Sequence, residues 1–363
     1  MFLLVNLTDL SDELNLVRLK YNVPGLSALV MKNGEIVAQG ACGYRRQNDS
    51  TNLLIKDKIN LGGNSLWLTA TLAGRLIDRN LLSWKTQIYE CFSNYQSFHR
   101  SFHNITLEEL LAHRSGIQDE TTFYEKYSRD LFRQYNETFR DIRYWVAETV
   151  LRDRPQTHRG QYLYSSQGYV VAVVMIEQKT NQQWESLLRE HVFIPLQMSN
   201  TNIGLVFDDL IPPRNPVGHL MNSIPGEPIP LQSPNSTVLH SEQGANGPSL
   251  IASTLHDWAK FLYSHIIART TGYLTEQTLD KLSSPFHNQT EFGLSISIYD
   301  RVWARPGKAL MLDGSTHGQE TFFVMGPSRN LIVVTYTNSF LVNSTTYNHV
   351  LNTVIKSIVG RYA

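Results

Sequence analysis

Few side chains in this 363-residue sequence stand at the spacing that familiar chemistries require. A serine nucleophile needs a base within about one helical turn. Ser65 stands at the head of the apolar helical stretch Leu66-Trp67-Leu68, but Leu68 lies three residues on, and the nearest lysines, Lys58 and Lys85, fall outside that turn. Ser65 therefore reads as an N-cap or first-turn residue that satisfies free backbone N–H groups. His99 and His103 have the i,i+4 spacing of a helical metal pair, yet the surrounding Gln96-Ser97-Phe98-His99-Arg100-Ser101-Phe102-His103-Asn104 reads as a loop, so no metal site is expected. His113, His219 and His240 have no partner at a useful spacing. Tyr164-Ser165-Ser166-Gln167-Gly168 has the outline of a nucleophile elbow, but its first glycine is missing and no strand precedes it. Cys42 and Cys91 are too far apart for a metal or redox motif and read as two separate buried thiols, with a single disulfide as the alternative. No cofactor motif is found.

The elements that would position such groups follow from periodicity. Leu26 to Lys32 and Glu35 to Ala41 are apolar-rich runs around Asn33-Gly34, a strong hairpin signal because both turn residues need positive φ. Thr321 to Met325 and Leu331 to Asn338 flank Gly326-Pro327-Ser328-Arg329-Asn330, a second hairpin with a longer turn. A last helix is expected from about Thr346 to Gly360, its Val350, Leu351, Val354, Ile355, Ile358 and Val359 forming one apolar face. Between the hairpins, residues 65–80, 106–113, 139–152, 166–179, 182–192 and 254–268 have helical periodicity, and Thr106-x-x-Glu109 has the form of a capping box. Residues 205–250, rich in Pro, Gly, Asn and Ser, read as a long irregular connection. Strands near both termini with helices between them predict an α+β fold: an antiparallel sheet, flanked by helices and formed from the N- and C-terminal parts, with an inserted mostly helical unit. The whole of 1–363 is expected to be one domain, with a sheet part at about 15–62 and 285–363 and a helical part at about 63–284.

Composition narrows the partners. Lys plus Arg equals Asp plus Glu at 32 each, so no net field draws in nucleic acid. No apolar run reaches membrane-spanning length. Seven Asn-x-Ser/Thr sequons, at Asn6, Asn48, Asn104, Asn136, Asn235, Asn288 and Asn343, exceed what composition alone would give and point towards secretion, though no clear signal peptide is found.

Several landmarks together carry a resemblance. The segment Leu61-Gly62-Gly63-Asn64-Ser65-Leu66-Trp67-Leu68-Thr69-Ala70-Thr71-Leu72 looks like the helix that carries the nucleophile in class C-like β-lactamases and related esterases. Val23-Pro24-Gly25 precedes the first main strand, and Leu110-Leu111-Ala112-His113-Arg114-Ser115-Gly116 is similar to an "LLxHxSG" helix end. Tyr164-Ser165-Ser166-Gln167-Gly168-Tyr169 resembles "YSNxGY", and Pro195-Leu196-Gln197-Met198 resembles "PLGM". In order and spacing, from about residue 20 to 360, the chain resembles the serine β-lactamase and penicillin-binding-protein family.

The resemblance implies a β-lactamase/transpeptidase-like fold and a site with a serine, a lysine three residues on, a tyrosine and a third-motif Lys or His. Aligned through Thr69-Ala70-Thr71-Leu72, the serine position falls on Gly63 and the lysine position on Leu66. Tyr164 keeps the tyrosine position, Ser166 replaces the asparagine two residues later, and Leu312 occupies the third-motif position. Asp313, Gly314, Ser315 and His317 are expected along the edge of the cleft. Glycine cannot attack and leucine cannot take a proton, so the resemblance implies a pseudoenzyme whose cleft holds a small-molecule or peptide ligand, an apolar one by the loss of polar groups. The alternative is an esterase or amidase with a rearranged site built on Ser65 and Tyr164.

Overall fold

The computed structural model describes residues 7–207, 210–223, 225–286, 291–342 and 349–363. The chain begins with β1 (Thr8–Asp9) and α1 (Ser11–Tyr21), then the hairpin of β2 (Gly25–Lys32) and β3 (Glu35–Gly43). Asn33 and Gly34 turn it with φ of 52° and 85°, the left-handed pair that a two-residue hairpin demands. The middle runs through β4 (Ile59–Asn60), α2 (Leu66–Ile77), α3 (Leu107–Leu111), α4 (Glu120–Phe132), α5 (Phe139–Arg152), α6 (Ser166–Thr180) and α7 (Trp184–Leu188). It continues with β5 (Asn202–Ile203), β6 (His219–Met221), β7 (Ile229–Pro230), α8 (Ser236–Asn246), β8 (Ile251–Ser253) and α9 (Leu255–Ile266). Two short helices, α10 (Ala268–Thr271) and α11 (Glu276–Leu282), lead back to β9 (Ser297–Tyr299) and β10 (Ala309–Thr316). The last elements are β11 (Gln319–Gly326), β12 (Leu331–Thr337), β13 (Ser339–Leu341) and α12 (His349–Tyr362).

The main sheet has the order β1-β3-β2-β12-β11-β10-β9, so the two ends of the chain meet at the β2–β12 pair, with Val30 opposite Val333. Every pairing in it is antiparallel except the short β1–β3 contact. Strand β12, Leu-Ile-Val-Val-Thr-Tyr-Thr, is buried throughout because both faces are covered. Successive side chains point to opposite faces: Leu331 and Val333 pack with α1 and α12, whereas Ile332, Val334 and Tyr336 join the larger core of the helical side. Helix α12 buries Val350, Leu351, Val354, Ile355, Ile358 and Val359, the predicted face, each such side chain contributing about 1.5–3 kcal/mol.

Helix α2 crosses the larger core and is buried on every side from Leu66 to Leu76. Its Trp67 stacks on His265 of α9 at 4.1 Å and on Phe323 of β11 at 5.9 Å, which fixes the helix to the sheet. The predicted capping box is present: Thr106 Oγ1 accepts from the Glu109 N–H and Glu109 Oε2 accepts from the Thr106 N–H. Residues 205–250 are not one irregular connection, since they contain β6, β7 and the three-turn α8. Helix α8 buries Ser241, Gly244, Ala245 and Asn246, a small and polar face that apolar periodicity does not register. The proposed start of the last helix near Thr346 lies outside the described residues. Among the described residues no helix is long and apolar enough to cross a membrane.

Candidate functional site

A cleft of about 600 Å³ opens where the turn before α2, the start of α6 and strand β10 converge. Glycines allow that convergence. Gly62 has φ +55°, and a Cβ there would sit 2.6–2.7 Å from the main chain of Ser315; a Cβ on Gly314 would lie 2.3 Å from Leu61 O. The turn and strand are then tied by side chains: Asn64 Nδ2 donates to Thr321 Oγ1 at 2.6 Å, and Thr321 Oγ1 donates to Leu61 O at 3.0 Å.

Gly63 lies between these contacts and lines the cleft. A Cβ built on it would point at the Tyr164 phenol, 3.0 Å from Oη, with Asp313 O at 3.7 Å. The residue whose side chain would face the tyrosine is thus a glycine. Leu66, one turn on, is wholly buried in the apolar core. Leu312 lines the cleft and packs against the same core, while Asp313, Gly314 and Ser315 line its β10 side.

Tyr164 is positioned by a buried histidine. Its ring lies over His113 with centroids 4.5 Å apart. His113 Nδ1 accepts from the Ser165 N–H at 3.1 Å, so the ring proton sits on Nε2, which donates to Ser295 Oγ at 3.1 Å. Burial pushes the His113 pKa down to about 3, keeping the imidazole neutral. Ser165 caps α6, accepting from the Gly168 N–H at 3.0 Å and donating to Gln118 O at 2.6 Å. Burial, with the Glu120 charge second, raises the Tyr164 phenol above its ordinary value, and the Ser166 hydroxyl partly offsets this. Leu66 brings no ammonium to offset that rise.

Two expectations need correction. Ser65 is not an N-cap acceptor: its hydroxyl shares its one proton between Gly62 O at 2.6 Å and Pro248 O at 2.8 Å, and the side chain is fully buried rather than in the cleft. His317 does not line the cleft either. It sits at φ +46° in the β10–β11 turn, paired with Glu242 of α8 at 3.3 Å and edge-on to Phe207. Elsewhere, His99 Nδ1 accepts from the Ser101 N–H and His103 Nε2 donates to Phe98 O, the two histidines flanking a short 3-10 turn at Arg100–Phe102. His219 Nε2 accepts from the Gln47 N–H while Nδ1 donates to Asn338 O, and His240 Nε2 donates to Glu137 O. Cys42 and Cys91 are free thiols in separate apolar clusters.

The cleft also contains groups that sequence reasoning did not single out as site residues: Arg114, Glu120, Tyr162, Phe292 and Tyr299. Arg114 belongs to the Leu110–Gly116 motif and gave the only available signal. Glu120 opens α4, a helix not anticipated, just after its N-cap Asp119. Its Oε1 accepts from Asn246 Nδ2 at 2.8 Å. Burial and the nearby Glu242 charge raise its pKa.

Comparison with known proteins gives three kinds of likeness. A family model described as beta-lactamase matches residues 7–351. The chain is 24% identical over 339 residues to the unguisins hydrolase ungD' of Aspergillus campestris, an alignment covering 88% of this chain and 59% of that protein. It is 22% identical over 348 residues to penicillin-binding protein 4 of Amycolatopsis lactamdurans, covering 92% and 85%. The alignment with protein flp of Staphylococcus aureus (strain MW2) spans 35% of that protein's length. Among solved structures, the D-amino acid amidase of Ochrobactrum anthropi SV3 superposes with a TM-score of 0.71 at 19% identity, covering 97% of this chain and 100% of that one. The octameric penicillin-binding protein homologue of Pyrococcus abyssi gives 0.69 at 18% identity, covering 90% and 72%. At these identities the structural likeness establishes the fold, and the chemistry has to be argued from the site.

Proposed function

The chain belongs to the beta-lactamase family, and on that premise we propose that it is a non-catalytic member that keeps the fold and uses the cleft to bind a small molecule or peptide. One observation carries the reading. The position whose side chain would face the Tyr164 phenol is Gly63, where a Cβ would lie 3.0 Å from Oη. Acyl transfer needs an attacking oxygen there and a group to take its proton. Gly63 supplies no oxygen, and Leu66, buried in the core, supplies no base. Tyr164 remains, held by His113, as a neutral donor and acceptor on the cleft wall. Groups that act as a catalytic unit lose most of the rate when one member is removed.

The competing reading is an esterase or amidase that uses Ser65 with Tyr164. Against it weigh the full burial of Ser65 and the donation of its hydroxyl to two main-chain carbonyls. A rate assay separates the two. With p-nitrophenyl acetate, a chromogenic cephalosporin and a D-amino acid p-nitroanilide, the purified protein is expected to give rates equal to those of an inert protein at the same concentration. Saturable turnover that disappears in both Ser65→Ala and Tyr164→Phe would replace this reading with the hydrolase.

A further inference from the structure

The walls of the cleft carry information about what fits inside it. Tyr162, Tyr164, Phe292 and Tyr299 present aromatic surface, with Leu312 adding an aliphatic side. Among the described residues, the carboxyl side chains lining it are Glu120, Glu291 and Asp313, and the basic side chain lining it is Arg114. Arg114 is already engaged: its Nη1 donates to Gly160 O at 2.7 Å, and its guanidinium lies over the rings of Tyr162 and Phe286. Arg301 rests on Tyr299 at 4.8 Å, and His317 pairs with Glu242 beside the cleft.

Glu120 is held in place by a chain of buried amides. Gln167 Nε2 donates to Asn246 Oδ1 at 3.1 Å, and Asn246 Nδ2 donates to Glu120 Oε1 at 2.8 Å and to the Tyr124 hydroxyl at 2.9 Å. Gln167 is wholly buried and Asn246 is 4% exposed, so the relay is fixed by packing. A carboxylate oriented in this way beside aromatic faces matches an ammonium group, which gains a charge-assisted hydrogen bond from the acid and attraction from the rings. An anionic ligand would meet the same carboxylate without a lysine at position 312 to answer it.

We propose that the cleft is selective for small organic cations, an ammonium carried on an aromatic or branched aliphatic body, with Glu120 as the charge partner and the tyrosines as walls. The proposal rests on the cleft being a binding site. Burial and the Glu242 charge raise the Glu120 pKa, and a bound ammonium would lower it.

Three ligands of one shape test it: 2-phenylethylamine, 3-phenylpropionate and 2-phenylethanol, titrated into the full chain by calorimetry with ligand-observed NMR for weak binding. The amine is expected to bind at least about tenfold more tightly than the acid, with the alcohol between them. Glu120→Gln should weaken the amine about tenfold and leave the alcohol unchanged, and Leu312→Lys should raise the affinity of the acid. Equal or tighter binding of the acid, absence of amine binding at millimolar concentration, or an unchanged amine-to-acid ratio in Glu120→Gln would overturn the proposal. Covalent labelling in parallel samples bears on the non-catalytic reading alone, so a failure of either is recognised separately.

Discussion

Gly63 faces Tyr164 without a side chain, while Ser65, two residues on, commits its hydroxyl to the carbonyls of Gly62 and Pro248. Removing that hydroxyl leaves both carbonyls without this donor in a buried region, which costs about 1–3 kcal/mol. Ser65→Ala should therefore lower the urea midpoint measurably, and an unchanged midpoint would mean that the two bonds do not hold the turn. A second consequence concerns pH. His113, His219 and His265 are buried and neutral, with burial lowering their pKa values from 6.5 to about 3, 4 and 4. Below 6.5 the unfolded chain takes up protons that the folded chain refuses, so their stabilisation is full above 6.5 and is lost as pH falls towards 4. The slope is at most about 1.4 kcal/mol per pH unit for each histidine. Glu320 acts in the opposite direction: burial, with the Asp313 charge second, raises its pKa from 4.5 to about 8, so it lowers stability as pH rises through that interval. Urea midpoints at pH 5, 6, 7 and 8 should fall steeply on the acid side, and Glu320→Gln should raise the midpoint at pH 8 more than at pH 5. Of the site itself, motif spacing led to Gly63 and Tyr164, and both line the cleft, while Leu66 lies in the core. Glu120 and the role of His113 were not, since the contacts to Asn246 and Ser165 join residues 126 and 52 positions apart.

At the scale of elements, what the sequence revealed depended on how each element buries its surface. The Asn33-Gly34 hairpin was readable because its turn needs two left-handed residues and the flanking strands are apolar. Gly34 also lies under α9: a Cβ there would meet the Tyr263 hydroxyl at 2.7 Å and its ring at 2.8 Å, and φ is +85°. Gly34→Ala should therefore lower stability by about 1–3 kcal/mol, through both the strained φ and the displaced ring; a stability equal to that of the parent in urea denaturation would show that the hairpin accommodates the change. Helix α12 was readable from its apolar stripe. Helices α1 and α4 were not, since α1 buries only Leu14 and α4 only Phe123 and Leu131, too few residues to set a period. Helix α8 was missed for a related reason: it packs through Gly244 and Ala245, where a Cβ on Gly244 would run into Ile142 of α5 at 2.5 Å. Close helix contact through small residues leaves no hydrophobic pattern in the sequence.

The molecule as a whole is a sheet closed by the two ends of the chain, with a helical block packed on one face and the cleft at their junction. Formal neutrality, with 32 basic and 32 acidic side chains, gives no overall field to steer a charged partner, so selectivity has to come from the cleft. The central claim is that this junction has kept its shape and lost its nucleophile. Intact-mass spectrometry after incubation with a fluorophosphonate and, separately, with a penicillin tests it most directly, because both reagents bond to an activated serine. Under conditions that fully label an active relative, the mass is predicted to stay that of the unmodified chain, and the same for Ser65→Ala. A stoichiometric adduct on the parent protein that is absent from Ser65→Ala would contradict the account and make Ser65 the nucleophile.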